Sequence, residues 1–167
     1  NITIPHKEKV FNLCSEISPI ASKLKAINTL KLNSENEWSA TNTDLEGFIY
    51  PLKNLNLAKK KSIVLGSGGA AKSVIQGLIN LNLSKISVIA RNKSSLDELI
   101  KNFENQIELQ SFLSNDNQAQ NLIEEADLVV NTTPVGMKTA KNEMNLLPYG
   151  DYFWRSLNSK TIVYDLI

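Results

Sequence analysis

The chain is poor in the residues that make covalent or metal-held frameworks. Its 167 residues include one cysteine, Cys14, and one histidine, His6. A lone thiol excludes an intrachain disulfide and fits a reducing compartment, so a cytoplasmic location is expected. No metal site is expected either. Charge of one sign is also missing: 18 Lys and Arg against 17 Asp and Glu leave a net charge of +1, which gives no reason to expect nucleic acid or a membrane surface as partner. No apolar run approaches the roughly 20 residues needed to span a bilayer, and no signal peptide is visible. Aromatics make up 7% and are scattered, so Trp38 and Trp154 read as core or interface rather than as a stacking platform.

What remains is an ordinary globular composition, 42% hydrophobic and 21% charged. The length suits one domain, or one domain and a fragment of another. Asparagine is abundant, which reads as compositional bias. The chain begins at Asn1 inside a strand-like segment and ends in the β-type run 161–167 with no turn after it. A piece of a longer polypeptide is expected.

Residues 1–50 differ in pattern from those that follow. Pro5 suits the first turn of a helix, with Val10, Leu13, Cys14 and Ile17 at helical spacing behind it. Ser18-Pro19 signals a second, short helix. Segments 27–32 and 37–41 read as strands joined by the polar turn 33–36, and Thr43 or Asp44 caps a helix carrying Leu45, Phe48, Ile49 and Leu52. Residues 53–61 are polar and basic and read as a connection. From Ser62 onward strands are expected at 62–66, 85–91, 106–111, 127–132 and 161–166, and helices at 69–82, 94–104 and 117–125. Region 134–158 reads as mainly loop, with a short helical piece at 153–157. This alternation predicts an α/β fold, a doubly wound parallel sheet with helices on both faces and ligands beyond the carboxyl ends of its strands. That edge would carry residues 66–71, Arg91, Thr132, Thr133 and Leu166.

One motif sits on that edge. The apolar run 62–65 ends in Gly66-Ser67-Gly68-Gly69-Ala70-Ala71, which fits G-x-G-x-x-A between a strand and an amphipathic helix. Gly66 permits a tight turn, Gly68 the close approach of a pyrophosphate, and Ala71 close packing of helix on sheet. The helix end supplies free N–H groups and a positive dipole end. A dinucleotide site is predicted here. An NAD site usually carries an acid at the end of the second strand, to bind the ribose 2′-hydroxyl. This chain has Ala90-Arg91-Asn92-Lys93, with no acid until Asp97. An Arg fork suits a 2′-phosphate at about 1.5–3 kcal/mol per charge-assisted contact, so NADP is favoured over NAD. Solvation of a strand end by Arg91 and Lys93 is the plainer alternative.

A nicotinamide partner needs a group that gives or takes a proton. Lys7 would fall in the first turn of the expected helix, where the dipole opposes a cation and stability alone favours Asp or Glu. That points to a lysine kept for a task; a surface cation balanced by Glu8 is the plainer alternative. Asp44 reads as an N-cap or as a carboxylate facing Lys7 across a cleft. Asn28 and Thr29 could serve the same cleft or an ordinary turn.

Taken in order, these segments resemble the shikimate dehydrogenase family. Asn1-Ile2-Thr3-Ile4-Pro5-His6-Lys7-Glu8 looks like N-x-T-x-P-x-K-E, Ala26-Ile27-Asn28-Thr29-Leu30 like A-[VI]-N-T-L, and Asn42-Thr43-Asp44-Leu45-Glu46-Gly47-Phe48 like N-T-D-x-x-G-F. Residues 66–71 resemble G-x-G-G-A-[AS], Arg91 the Arg of N-R-[TS], and Asn131-Thr132-Thr133-Pro134-Val135-Gly136-Met137 the family's N-[TA]-[TS]-P-x-G-M. Residues 164–167 look like the strand before the family's last loop. The resemblance implies NADP-dependent interconversion of 3-dehydroshikimate and shikimate, a step of aromatic amino acid biosynthesis. By it Lys7 is the acid/base and Asp44 its partner, with Thr3 and Asn28 also binding substrate. Gly66, Ser67, Gly68, Gly69, Ala70, Ala71, Arg91, Asn92, Lys93, Thr132, Thr133 and Leu166 would hold the cofactor. Residues 1–52 would be part of a substrate-binding domain and 53–167 most of a Rossmann-like NADP domain. A homodimer is compatible with the sequence.

Three positions depart from the family pattern. Ala90 replaces a usual Asn, Ser95 a second phosphate-binding Arg, and Lys25 a common Gly. The first two imply a weaker NADP preference. The family's N-terminal strand with paired Ser residues is missing, as are its loop Tyr and C-terminal Gln, so poor turnover is expected of the chain alone. An NAD-dependent quinate/shikimate dehydrogenase is the alternative within the enzyme class. A non-catalytic NADP-binding module is the alternative outside it.

Overall fold

The computed structural model describes residues 1–3, 5–116, 118–136 and 148–166. Ile4, Met137 and Ile167 of the motifs above lie outside them. Two sheets share the described residues. The first runs β1 (Glu16–Ile17), β3 (Trp38–Thr41), β2 (Thr29–Leu32), with β1 parallel to β3 and β2 antiparallel. Asn33 closes the β2–β3 turn, its Oδ1 accepting from Glu35 N at 2.9 Å and Glu37 N at 2.8 Å. Helix α1 (Pro19–Leu24) starts at Ser18, whose Oγ accepts from Ala21 N at 3.3 Å, and Pro19 fills its first turn. Helix α2 (Asp44–Leu52) leaves β3 and buries Leu45, Phe48 and Leu52.

The helix expected behind Pro5 does not form as such. Only a 3₁₀ helix spans Lys9–Leu13, and Leu13 is 72% exposed. The reason is tertiary: Cys14 turns extended, Ser15 N donates to Trp38 O at 3.1 Å, and Ile17 pairs with Ala40 in the sheet. Strand pairing overrides the local period. Lys7 therefore precedes the helix instead of occupying its first turn, and the dipole argument for it falls away.

The second sheet has five parallel strands in the order β6 (Leu109–Leu113), β5 (Lys85–Ala90), β4 (Lys61–Leu65), β7 (Leu128–Asn131), β8 (Ile162–Asp165). Strand β6 starts three residues later than expected, because Gln106 N and Ile107 N both bond back to Phe103 O and prolong the turn after the preceding helix. Alternate side chains face opposite layers, as strand geometry requires. Val64, Ile86, Val88, Leu128 and Val130 pack with α3 (Gly69–Asn80) and α4 (Lys93–Phe103). Ile63, Leu65, Ile89 and Val129 pack with α5 (Gln118–Ile123) and α6 (Gly150–Arg155). The fold is the expected doubly wound one. From β4 the chain first builds β5 and β6 on one side, then β7 and β8 on the other, so a crevice opens where the order reverses. Among the described residues no helix is long and apolar enough to cross a membrane.

The two sheets are joined by α2 against α3. A Cβ at Gly77 of α3 would lie 2.6 Å from Phe48 Cδ1, and the Phe48 ring in turn meets Tyr164 edge-on at 5.3 Å between centroids. Helix propensity alone favours Gly77→Ala by about 1 kcal/mol, but overpacking costs about 1–3 kcal/mol and the ring, 2% exposed, has little room to yield. Gly77→Ala should therefore lower stability in urea unfolding; an unchanged or raised midpoint would contradict the contact. Lys25 occupies a position whose backbone suits the family's usual Gly. It ends α1 in the left-handed region, at φ 50, where a Cβ is strained. Lys25→Gly should stabilise the chain by about 1 kcal/mol in the same assay.

Candidate functional site

The crevice between β4 and β7 is built from short contacts. Gly66 leaves β4 at φ +109, its N–H bonded to Ile89 O at 2.8 Å. A Cβ there would fall 2.6 Å from Thr132 Oγ1, which itself donates to Leu65 O at 2.7 Å. Only glycine satisfies both the backbone angle and that spacing. Thr133 Oγ1 donates to Asn131 Oδ1 at 2.7 Å, and Asn131 Nδ2 to Asp165 Oδ1 at 3.0 Å, which fixes the loop after β7. A cleft of about 360 Å³ results, lined among others by Gly66, Ser67, Gly68, Gly69, Ala70, Arg91, Thr132 and Thr133. That is the size range of small-molecule sites. A Cβ on Gly68 would meet nothing within 4 Å, so space remains over the opening of α3, where a helix leaves its first N–H groups unpaired.

Lys7 lines the same cleft. Its Nζ lies 2.5 Å from Asp44 Oδ2, and the second carboxylate oxygen of Asp44 accepts from Asn28 Nδ2 at 2.7 Å. Both side chains are partly buried, at 15% and 21% exposure, so the pair keeps an open side. Asp44 is thus not the N-cap. Thr43 holds that position without a side-chain bond, and Asp44 N is satisfied by Asn42 Oδ1 at 2.9 Å. Asn28 Oδ1 accepts from Thr43 N at 3.0 Å and from Thr29 Oγ1 at 2.9 Å, which orients the amide toward Asp44. Asn42 is buried and spans the junction, donating to Ala26 O at 3.0 Å and accepting from Ser73 Oγ of α3 at 3.3 Å. The chemistry available is a lysine tethered by a carboxylate on a cleft built over a glycine turn and a helix N-terminus.

The comparisons with known proteins agree in kind. A family model described as shikimate/quinate 5-dehydrogenase matches residues 51–145, and one for the shikimate dehydrogenase substrate binding domain matches residues 1–30. The chain belongs to the shikimate/quinate 5-dehydrogenase family. A relative in Prochlorococcus marinus strain MIT 9301, named shikimate dehydrogenase (NADP(+)), is 96% identical over the whole chain. One of the same name in Nostoc sp. is 37% identical over 177 aligned positions. The chain spans 58% of the length of each of these relatives. Shikimate dehydrogenase from Aquifex aeolicus superposes on the entire chain with a TM-score of 0.81 at 28% identity, covering 57% of that protein. Quinate dehydrogenase from Corynebacterium glutamicum, solved with NAD, gives 0.79 at 27% identity over 58% of its length.

The remaining positions that the family resemblance singles out are not all in the cleft. Arg91 and Asn92 line it, and Asn92 Oδ1 also caps α4 by accepting from Ser95 N at 3.0 Å. Ser95 Oγ meets Ser67 Oγ at 2.7 Å at the same end of the cleft. Lys93 is 75% exposed and pairs with Asp97 at 3.4 Å, Ala71 is buried on the inner side of α3, and Leu166 bonds through its N–H to Asn131 O at 3.2 Å. None of these three lines the cleft. Thr3 is exposed, its carbonyl accepting from His6 N at 2.9 Å.

Three cleft residues, Lys72, Glu98 and Tyr149, had no role in the sequence reading. Lys72 is 3% exposed, and its helical spacing three after Gly69 was a usable signal. Tyr149 had none, since no motif or helical spacing includes it. Its Oη donates to Ile89 O at 2.9 Å, and it lines the cleft beside Ala90 and Arg91. Burial pushes its phenol up to about 12, against the opposing pull of Arg91. A raised folded value means that the phenol's contribution to stability is complete below about pH 10 and is lost as pH rises toward 12. Phenolate absorbance should show one of the four tyrosines titrating late, a component that Tyr149→Phe removes. Ordinary titration of all four would contradict this burial.

Proposed function

We propose that the protein to which this chain corresponds interconverts 3-dehydroshikimate and shikimate with NADP, in aromatic amino acid biosynthesis. The observation carrying the proposal is Lys7, paired with Asp44, on the same cleft as the glycine turn. The cleft's open space above Gly68 suits a dinucleotide. Residues 66–70 would receive its pyrophosphate, and Arg91, with Asn92 and the Ser67–Ser95 hydroxyls, a 2′-phosphate. When bound, NADPH supplies hydride to the carbonyl carbon of the substrate.

Lys7 does the proton work. In the reductive direction its ammonium donates a proton to the carbonyl oxygen as that oxygen becomes a hydroxyl. In the oxidative direction the neutral amine takes the hydroxyl proton back. Asp44 holds the lysine in place and offers its carboxylate to a neighbouring substrate hydroxyl, while Asn28 fixes the carboxylate plane. Thr3 would contact substrate from the exposed end of the same segment.

The rival reading is an NAD-dependent quinate/shikimate dehydrogenase, since the Corynebacterium glutamicum neighbour was solved with NAD. Arg91 on the cleft, with Asp97 engaged by Lys93, favours NADP. The test uses the chain completed with the remaining residues of its 96%-identical relative. Shikimate with NADP+ should turn over, Lys7→Ala should cut kcat by at least about a hundredfold, and Arg91→Ala should raise the KM for NADP+ about 10- to 100-fold with little change for NAD+. Cofactor binding without turnover of shikimate or quinate would leave a binding module. A preference for NAD+ would overturn the role of Arg91.

A further inference from the structure

Helix α3 offers one face to the segment that carries Lys7. Gly69 and Lys72 lie three residues apart, hence on the same side of the helix. A Cβ at Gly69 would be 3.4 Å from Lys7 Cβ, so the two backbones approach closely there. One turn on, Lys72 Nζ reaches Glu8 Oε1 at 2.6 Å and, more loosely, Glu98 Oε1 of α4 at 3.6 Å. Consecutive residues 7 and 8 are thus seated on consecutive points of one helix face. Lys72 is 3% exposed and both carboxylates remain open to solvent, at 46% and 64%. A lysine buried to this degree with surface carboxylates at its tip is costly to desolvate, and a surface cation would serve stability as well.

We propose that Lys72 is a positioning residue: its buried ammonium ties the Lys7–Glu8 segment to the dinucleotide-binding helix and to α4, and so sets Lys7 against the cofactor cleft. The proposal rests on the reading of Lys7 as acid/base for its kinetic consequence, but the tie itself does not. Lys7 is otherwise held from the other side, where Lys7 O accepts from Ile27 N at 2.7 Å, and by Asp44 at its tip. With the tie removed, the backbone at residues 6–11 can move away from α3 while the glycine turn and Arg91 stay in place. Removing the ammonium leaves Glu8 and Glu98 solvated, so the fold should survive.

The test compares Lys72→Met, Lys72→Arg and Glu8→Gln in the completed chain. Amide hydrogen exchange, with no ligand present, is read at Val10 and Phe11, whose N–H groups bond to His6 O and Glu8 O. It should rise about tenfold in Lys72→Met, with β4 and β5 unchanged. At saturating shikimate and NADP+ kcat should fall about tenfold, while the KM for NADP+ stays within about threefold. Lys72→Arg should recover most of both effects, and Glu8→Gln, an exposed change, should move both in the same direction should Lys72→Met not fold. Unchanged exchange in these variants overturns the tie, whatever the activity. A large rise in KM for NADP+ with exchange unchanged would make Lys72 a cofactor ligand instead, which also overturns it. Absence of turnover in the unmodified completed chain would defeat the proposed function and leave the exchange result to decide the tie.

Discussion

The site depends on how closely the Lys7 segment can lie against the opening turn of α3. The approach is to van der Waals range: a Cβ on Gly69 would stand 3.4 Å from Lys7 Cβ and 3.7 Å from Ala26 Cβ. The same turn begins at Gly66, whose left-handed backbone lets Thr132 bond back to β4. One stretch of four residues therefore shapes the cleft and lies against the segment that carries Lys7. The proposed reaction requires its proton donor beside the carbon that gains hydride, and this seating of Lys7 would meet that requirement.

Polar groups then make this geometry single-valued. Asn42, buried at the junction, bonds to Ala26 on one side and to Asp44 N and Ser73 on the other. A buried amide in a misfitting arrangement would leave orphaned donors, so this network penalises alternatives by about 1–3 kcal/mol per lost partner. Asn28 does the equivalent for the carboxylate of Asp44. Apolar packing supplies the bulk attraction and the asparagines choose the register. Phe48 against Gly77 and Tyr164 links α2, α3 and β8 in one core, so the loop bearing Asp44 is anchored to the sheet that carries the cleft.

Much of this was legible in the residue pattern, for identifiable reasons. The strand runs 62–65 and 85–90 are mostly apolar because both faces are covered, and the helix between them keeps its apolar period. The glycine turn announces itself because only glycine tolerates its backbone. Residues 5–17 misled because Val10, Leu13, Cys14 and Ile17 fit a helical period that strand pairing with β3 overrides. Local spacing cannot see a partner strand twenty residues away. Asp44 could not be resolved between cap and cleft by spacing alone, since both need a short acid at a helix start; the decision lies in Asn42, which satisfies Asp44 N and frees its carboxylate. Lys93 and Leu166 sit at the expected edge in sequence yet do not line the cleft: Lys93 is exposed and turns to Asp97, and Leu166 lies past the end of β8. Tyr149 was invisible because its bond to Ile89 O joins positions 60 residues apart, which no local pattern reveals.

The most direct test of the central claim, that Lys7 and Asp44 form the reacting end of a cofactor cleft, is a crystal structure of the completed chain with shikimate and NADP+. A substrate hydroxyl within about 2.6–3.2 Å of both Lys7 Nζ and an Asp44 oxygen, with the pyrophosphate over residues 66–70, is the expected result. Shikimate bound away from Lys7, or the dinucleotide outside the crevice between β4 and β7, would contradict it.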